Sequence, residues 1–550
     1  MKDSNNVKVK KIINGLWILA ILAGIKSAFT DFGYDNAYTL ALSFRHLSGD
    51  RLFMEIWDTA QSSIFLTDFF LLPYKVLVPS LTGAALYLQF CGLITYGLVA
   101  WFLYKSLCLY TDEQSAGLAA LFFFAFRIKQ TVFLAYADQQ ILFSALMICF
   151  LIRYLKEKSK CIFLILAALM LCLEILSYPT AIILFPLLCI ALFFITGNKV
   201  KTVLVFAGTC TVSGIAYLLF LVLRHGPVSL MKTISLIFAG DVHGSGEFGD
   251  GSFGSFWGGF LYAVEVLAIL VAIAALVSFA KKKRELFFCV LGVEIPVTEV
   301  LLLSIGDKLG IDWTCAFYIL PLLLIVLAIS NTKTVNEELG YIWVVALLVS
   351  FSTFVSSMLM TNLGLITIVA NLVLGGTVAI VLICDRWKQA GVWIVAGICL
   401  TVIAHRGIVV WGYSNINDRF YITQMNNYIR NGPTKFIVAD RETANRVRNA
   451  EEEFKTYLPE ESNSFLLNGW LYDPVVYFFL PGEICNPNVT DTPFYSEETL
   501  SYFSYYPQKT PEYVVIDKGV SYFDSAINEW LENNYEFFAE GEAYSFYRVK

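Results

Sequence analysis

Apolar stretches of about 20 residues recur along this chain from Lys11 to Trp411, each long enough to cross a hydrocarbon core of ~30 Å. No other feature narrows the fold as far. Lipid offers no partner to a free backbone N–H or C=O, so such segments must be helices. The spans are expected near residues 12–29, 83–106, 114–126, 139–156, 161–177, 181–197, 202–223, 256–280, 285–304, 313–330, 340–357, 363–384 and 390–411, about 13 by the length rule. Charged residues make up only 15% of the 550, well below the roughly 25% of a soluble domain.

Basic residues cluster in alternate short loops: Lys8, Lys10 and Lys11; Arg153, Lys156, Lys158 and Lys160; Lys199 and Lys201; Lys281 to Arg284; Lys333; Arg386 and Lys388. The positive-inside rule places these in the cytoplasm. The loops 30–62, 127–138, about 177–180, 224–254, 305–312 and 357–364 then face outward, with the N-terminus inside and the C-terminal part outside. No small-residue cleavage site follows the first stretch, so it is expected to stay as a span. The segment 63–80 is apolar but carries Asp68, Pro73, Lys75 and Pro79; it is expected to lie in the outer interface.

From Gly412 onward the character changes. Residues 412–550 hold 11 Lys+Arg against 21 Asp+Glu, a net of −10 in a chain whose total is −6. That balance excludes nucleic acid as a partner. Lys435–Ala439, Tyr513–Ile516 and Tyr544–Val549 are predicted strands, and Arg441–Leu458 and Asp524–Asn533 predicted helices. The alternation predicts a small extracytoplasmic α/β domain behind an α-helical polytopic membrane domain of residues 1–411. Cysteine adds little: eleven of the 12 lie in residues 1–411, as small hydrophobes, and Cys485 alone follows. No Cys/His spacing suggests zinc.

The first outward loop gathers what the rest of the chain avoids. It reads Thr30-Asp31-Phe32-Gly33-Tyr34-Asp35-Asn36-Ala37-Tyr38, then Arg45-His46, Gly49-Asp50-Arg51, Glu55, Trp57-Asp58 and Gln61. Acids just past a span are costly to keep and invite a functional reading. Ala37, Leu40, Ala41, Phe44 and Leu47 follow helical spacing, which predicts a surface helix capped by Asp35 or Asn36. A further acid, Asp138, opens a later span in Tyr136-Ala137-Asp138-Gln139-Gln140.

These features resemble the GT-C-type membrane glycosyltransferases, whose relatives include protein O-mannosyltransferases and lipid A aminoarabinose transferases. The resemblance rests on the loop-one pattern, on Tyr136 to Gln140, and on the layout of many spans followed by an α/β tail. It implies transfer of a sugar from a polyprenyl-phosphate donor, within the bilayer of a bacterial plasma membrane, to an envelope glycan, lipid or protein on the outer face with inversion. Asp35 is expected as general base, with Asp138 as a second catalytic acid. Asn36, Tyr38, Glu55, Asp58 and Gln61 are expected to bind substrate. Arg127, Lys129 and Arg224 are expected to hold phosphate, with Lys232 and Lys308 as further outer cations. The family often has two adjacent acids where this chain has Asp35-Asn36, so a divalent cation is an open requirement and no tightly bound metal is expected.

Plainer roles compete. Asp35 can cap its helix, Asp138 can favour a helix N-terminus, and Arg127 and Lys129 can anchor lipid headgroups. His46 and His243 read as surface residues. The glycine-rich stretch Gly240 to Gly251 lacks a phosphate-loop ending and reads as a flexible loop. Glu174, Glu265, Glu294 and Glu299 read as structural. Two other classes stay in view: a polytopic transporter or flippase, which calls for inverted repeats and midplane polar groups, and a non-catalytic glycan-assembly subunit, for which Asp35 would be dispensable.

Overall fold

In the computed structural model, the structure describes residues 2–58, 60–127, 132–157, 160–239, 268–282, 320–329, 337–360, 371–411, 419–467, 474–489, 496–519 and 525–550, with scattered positions between 265 and 369. The chain is a polytopic helical membrane protein with a C-terminal sheet. The helices that bear on the site are α1 (Lys2–Thr30), α2 (Tyr34–Ser48), α3 (Ile64–Leu77), α4 (Ala84–Leu107), α5 (Glu113–Ala125), α6 (Tyr136–Lys156), α7 (Cys161–Ser177), α8 (Leu184–Ile195), α9 (Lys199–His225) and α10 (Pro227–Ala239). They are followed by α11 (Leu320–Ile329), α12 (Glu337–Met360), α13 (Val373–Trp387) and α14 (Gln389–Ile408). Among the described residues six helices are long and apolar enough to cross a membrane, with shorter apolar helices beside them. Much of the expected segments 256–280, 285–304 and 313–330 lies outside the described residues.

Burial separates the helices. α9 exposes Leu204, Val212, Ile215, Leu219 and Leu223, as a helix facing lipid must, since there the solvent is itself apolar. α5, short for a span at 13 residues, is buried from Ser115 to Ala125 and packs against α1, α4, α13 and α14. It is the axis of the bundle. α3 exposes Phe69, Leu72, Val76 and Leu77 on one side and buries Asp68 and Leu71 on the other, the two-faced pattern of an interfacial helix.

Two local expectations change. The cap of α2 is Gly33, with extended backbone and no side-chain hydrogen bond. Asp35 and Asn36 lie within the first turn behind it, where an acid still meets the positive helix end. The last expected span stops at Ile408, because Val409–Trp411 (β1) leaves the helix to pair with Arg419–Tyr421 (β2).

The C-terminal part forms a five-stranded mixed sheet in the order β6 (Glu483–Ile484), β5 (Asn463–Leu467), β7 (Tyr513–Asp517), β9 (Tyr544–Val549), β8 (Tyr535–Glu540). β5 runs parallel to β6 and β7, and β9 runs antiparallel to β7 and β8. The buried run Val514–Val515–Ile516 on β7 makes it the central strand. Helices α15 (Arg441–Tyr457), α16 (Ser496–Tyr505) and α17 (Ser525–Asn534) cover the sheet. Lys435–Ala439 does not join it: only Val438–Ala439 (β4) is extended, paired with Asn427–Tyr428 (β3).

This sheet unit is not a separate ball. Tyr38, Ala41 and Leu42 of α2 share a core with Phe454, Leu466, Tyr477 and Phe546. Trp57 shares another with Phe465, Tyr502 and Val514. The loop helix therefore lies under the C-terminal unit rather than open on the membrane surface.

Candidate functional site

Three polar groups converge where α1, α2, α5 and α6 meet. In the first, Asp35 on α2 is half-buried and its Oδ1 accepts from the Tyr136 hydroxyl at 3.4 Å. The Tyr136 ring stands edge-on to Tyr38 at 6.0 Å and stacks on Tyr178 at 5.9 Å. Tyr136 is two residues before Asp138, so one turn of α6 carries both a partner of Asp35 and the second acid.

The second group surrounds Asp138, which is 8% exposed. Its Oδ1 accepts from Tyr96 Oη at 2.7 Å. The Arg127 guanidinium lies over the Tyr96 ring, a cation–π placement that offsets part of the cost of burying the charge. Arg127 is 3% exposed, and its Nε and Nη2 have no hydrogen-bond partner among the described residues. A buried unsatisfied cation is costly, so these N–H donors are a ready binding site for an anion. The backbone explains the position: Phe126 leaves α5 in extended conformation, and Val132, ahead of α6, lies against Gly92 of α4. A Cβ on Gly92 would stand 1.7 Å from the Val132 carbonyl oxygen, so only glycine admits this segment there.

A third group escaped the sequence reading. Lys26 near the end of α1 pairs with the buried Asp31 at 3.1 Å and donates to the Arg406 and Val409 carbonyl oxygens at 3.0 and 2.5 Å. Arg406 on α14 is 1% exposed, with Nε on Ser27 Oγ at 3.1 Å and Nη1 on the Phe124 carbonyl oxygen at 3.3 Å. Its Nη2 has no partner among the described residues. Three cations, Lys26, Arg127 and Arg406, thus face two acids, Asp31 and Asp138, at one end of the bundle. The sequence did carry a signal: Lys26 and Arg406 lie at the ends of the first and last spans that the positive-inside rule predicts to face outward, against the expected charge pattern.

The other loop-one residues build the loop. Asn36 Nδ2 donates to the Asp31 carbonyl oxygen at 3.3 Å. Gln61 spends its amide inside the loop, accepting from Phe53 N at 2.6 Å and donating to the Asp58 carbonyl oxygen at 2.7 Å. Glu55 is clasped by the Arg51 guanidinium and backbone N–H. Asp58 is buried at 4% exposure. Arg45 donates to Asp50 at 2.8 Å, and Lys509 from the C-terminal unit reaches the other Asp50 oxygen at 2.7 Å. Burial opposes the charge on Asp50, but Arg45 and Lys509 outweigh it and hold the carboxyl below its usual range. His46 is not a plain surface residue: its Nδ1 meets Asp68 Oδ2 at 2.7 Å. Arg224 stands exposed at the end of α9 over Phe220, outside the cluster, and Lys232 lies over Tyr505 at 4.1 Å. Lys129, Lys308, His243 and the Gly240–Gly251 stretch lie outside the described residues. Glu174 on α7 is fully buried.

Among the described residues no three His, Cys, Asp or Glu side chains gather to hold a metal ion. Asp31, the acid nearest Asp35 in sequence, is committed to Lys26. No step below is routed through a divalent cation.

No protein-family model and no curated protein sequence matches the chain. The structure is similar to the Archaeoglobus fulgidus oligosaccharyltransferase complexed with zinc and sulfate, at 12% identity and TM-score 0.49, covering 91% of this chain and 68% of that one. It is similar to AglB of the same organism with an inhibitory peptide and a dolichol-phosphate, at 13% identity and TM-score 0.47, covering 92% and 69%. It is also similar to ArnT of Cupriavidus metallidurans bound to undecaprenyl phosphate, at 10% identity and TM-score 0.44, covering 100% and 98%.

Proposed function

We propose that this chain is a GT-C-type membrane glycosyltransferase that moves a sugar from a polyprenyl-phosphate donor to an envelope glycan, lipid or protein at the bundle end that carries loop one. The observation that carries the reading is the Asp35–Tyr136–Asp138–Arg127 constellation. Two carboxylates from distant parts of the sequence are linked through one turn of α6. Beside the second lies a buried guanidinium with unsatisfied donors.

The chemistry divides between the two sides. Asp35 takes the proton from the acceptor hydroxyl as its oxygen bonds to the anomeric carbon, a general-base contribution of about 10²–10⁴-fold. The bond from that carbon to the phosphate oxygen breaks on the opposite face, inverting the centre. Arg127, with Arg406 behind it, meets the negative charge that grows on the leaving lipid phosphate. Tyr136 orients Asp35, and Tyr96 orients Asp138. The lipid-facing surface of the bundle holds the polyprenyl chain. On this reading loop one and the C-terminal unit face outward.

The test is transfer of labelled sugar from polyprenyl-phosphate donors in membranes that hold equal amounts of folded wild type or Asp35→Asn. A loss of about a hundredfold or more supports the base assignment. Equal transfer removes Asp35 from the chemistry. No transfer from any donor by the wild type brings forward the transporter and non-catalytic readings.

A further inference from the structure

The opposite end of the bundle holds a cavity that the glycosyl-transfer reading does not use. It has a volume of about 940 Å³ and lies among the first half of α1, the last turns of α4, the start of α5 and the α13–α14 junction. These are the ends farthest from loop one along the same helices. Trp17, Trp101 and Tyr104 line it, with Lys10, Glu113 and Asp385 among the charged groups at its rim.

Its surroundings select an occupant. Trp101 is 58% exposed, and the stripe continues along α4 through Leu98 and Ile94, both about three-fifths exposed. On α1, Ile18 and Leu22 are also exposed. Gly24 of α1 lies against Leu93 of α4, and exposed apolar side chains on both helices continue from the cavity toward the middle of the bundle. A chamber lined by both charged and apolar side chains, with tryptophan at its mouth and an apolar seam below it, matches a phospholipid standing at a membrane interface. The charge set narrows the headgroup. Asp112 is spent capping α5, accepting from Gln114 N, Ser115 N and Ser115 Oγ, so among the lining residues two carboxylates, Glu113 and Asp385, stand with two lysines, Lys10 and Lys388. A balanced set of two carboxylates and two ammonium groups matches a headgroup that carries both an ammonium and a phosphate. The ion pairs present, Lys10–Glu113 at 3.6 Å and Lys388–Asp385 at 2.8 Å, leave their lysines 70% and 76% exposed. Exposed pairs of this kind open at little cost, so a lysine can turn to the lipid phosphate while a carboxylate takes the ammonium.

We propose that this cavity binds the headgroup of a primary-amine zwitterionic phospholipid, its acyl chains along the α1–α4 seam. The binding is independent of the sugar chemistry.

The test uses the full chain in detergent micelles, with phosphatidylethanolamine, phosphatidylcholine or phosphatidylglycerol added, read by retained lipid in native mass spectrometry. Phosphatidylethanolamine is expected to be retained over phosphatidylcholine, which offers no N–H donor, by about tenfold, the scale of one charge-assisted hydrogen bond. Glu113→Gln and Asp385→Asn are exposed substitutions that leave the fold intact. Together they are expected to erase the preference while leaving Tm in lipid-free micelles unchanged. Equal retention of the two zwitterions, preference for phosphatidylglycerol, or a preference that survives both substitutions would overturn the proposal.

Discussion

Asp35 occupies the first turn of α2, so the helix dipole favours its charge with or without chemistry. The two roles separate in magnitude. A purely electrostatic part in the helix is worth about 0.3–1 kcal/mol, whereas a general base is worth about 10²–10⁴-fold in rate. Asp35→Asn is expected to shift Tm slightly and to remove transfer, and paired melting and transfer assays check this. Arg127 offers a second case. Lysine keeps the charge but loses the planar fork that lies over Tyr96. Arg127→Lys is therefore expected to lower transfer by about tenfold or more, and Arg127→Gln to lower it further, through lost stabilisation of the leaving phosphate. Steady-state kinetics over donor concentration distinguish this from weaker binding alone, because kcat should fall as well as kcat/KM.

At the level of elements, the Arg45–Asp50–Lys509 chain ties the end of α2 to the C-terminal unit. All three side chains are buried or nearly so. Removing one member strands the other charges, at a cost of about 3–5 kcal/mol. Lys509→Met is expected to lower Tm and to loosen loop one, visible as faster hydrogen exchange in the 45–61 amides. The same group sets an acid response. The folded Asp50 carboxyl titrates below its unfolded value because Arg45 and Lys509 overcome its burial. Its contribution to stability is therefore present above the unfolded pKa of about 3.9 and lost as pH falls through the lower folded value. Asp50→Asn should flatten the acid limb of a stability-versus-pH curve measured below pH ~4. Gly92 makes a backbone prediction. The Val132 carbonyl oxygen occupies the space of any Cβ there, so Gly92→Ala is expected to push the segment before α6 outward, carrying Asp138 with it. A drop in both Tm and transfer checks it.

For the molecule as a whole, the proposed topology puts the two ends of the bundle on opposite sides of the membrane. Cysteine placed at Glu452, on the exposed face of α15, should react with a membrane-impermeant maleimide in intact cells, and cysteine at Glu113, by the distal cavity, only after the membrane is permeabilised. Reaction from the same side would overturn the proposed topology. Much of this architecture was legible beforehand. Many helix positions, the helical loop one, a two-faced helix within 63–80 and strands near Tyr513 and Tyr544 follow from hydrophobic period and length, which depend on neighbours in sequence. Gly33 as the cap of α2, the short pairing of Val438–Ala439 and the unseen strands β5 and β8 do not, because each depends on what packs across from it. The sequence by itself determined the class of fold and the loop where polar groups collect, since burial of apolar side chains and satisfaction of backbone groups in lipid leave few alternatives. Only the tertiary structure decided that Asp35 meets Tyr136, that Arg127 lies buried beside Asp138, that Lys26 and Arg406 stand behind them, and that Glu55 and Gln61 serve the loop. Those are contacts between residues tens to hundreds of positions apart. Their strength comes from shared desolvation at one place in the bundle, and no local pattern encodes it.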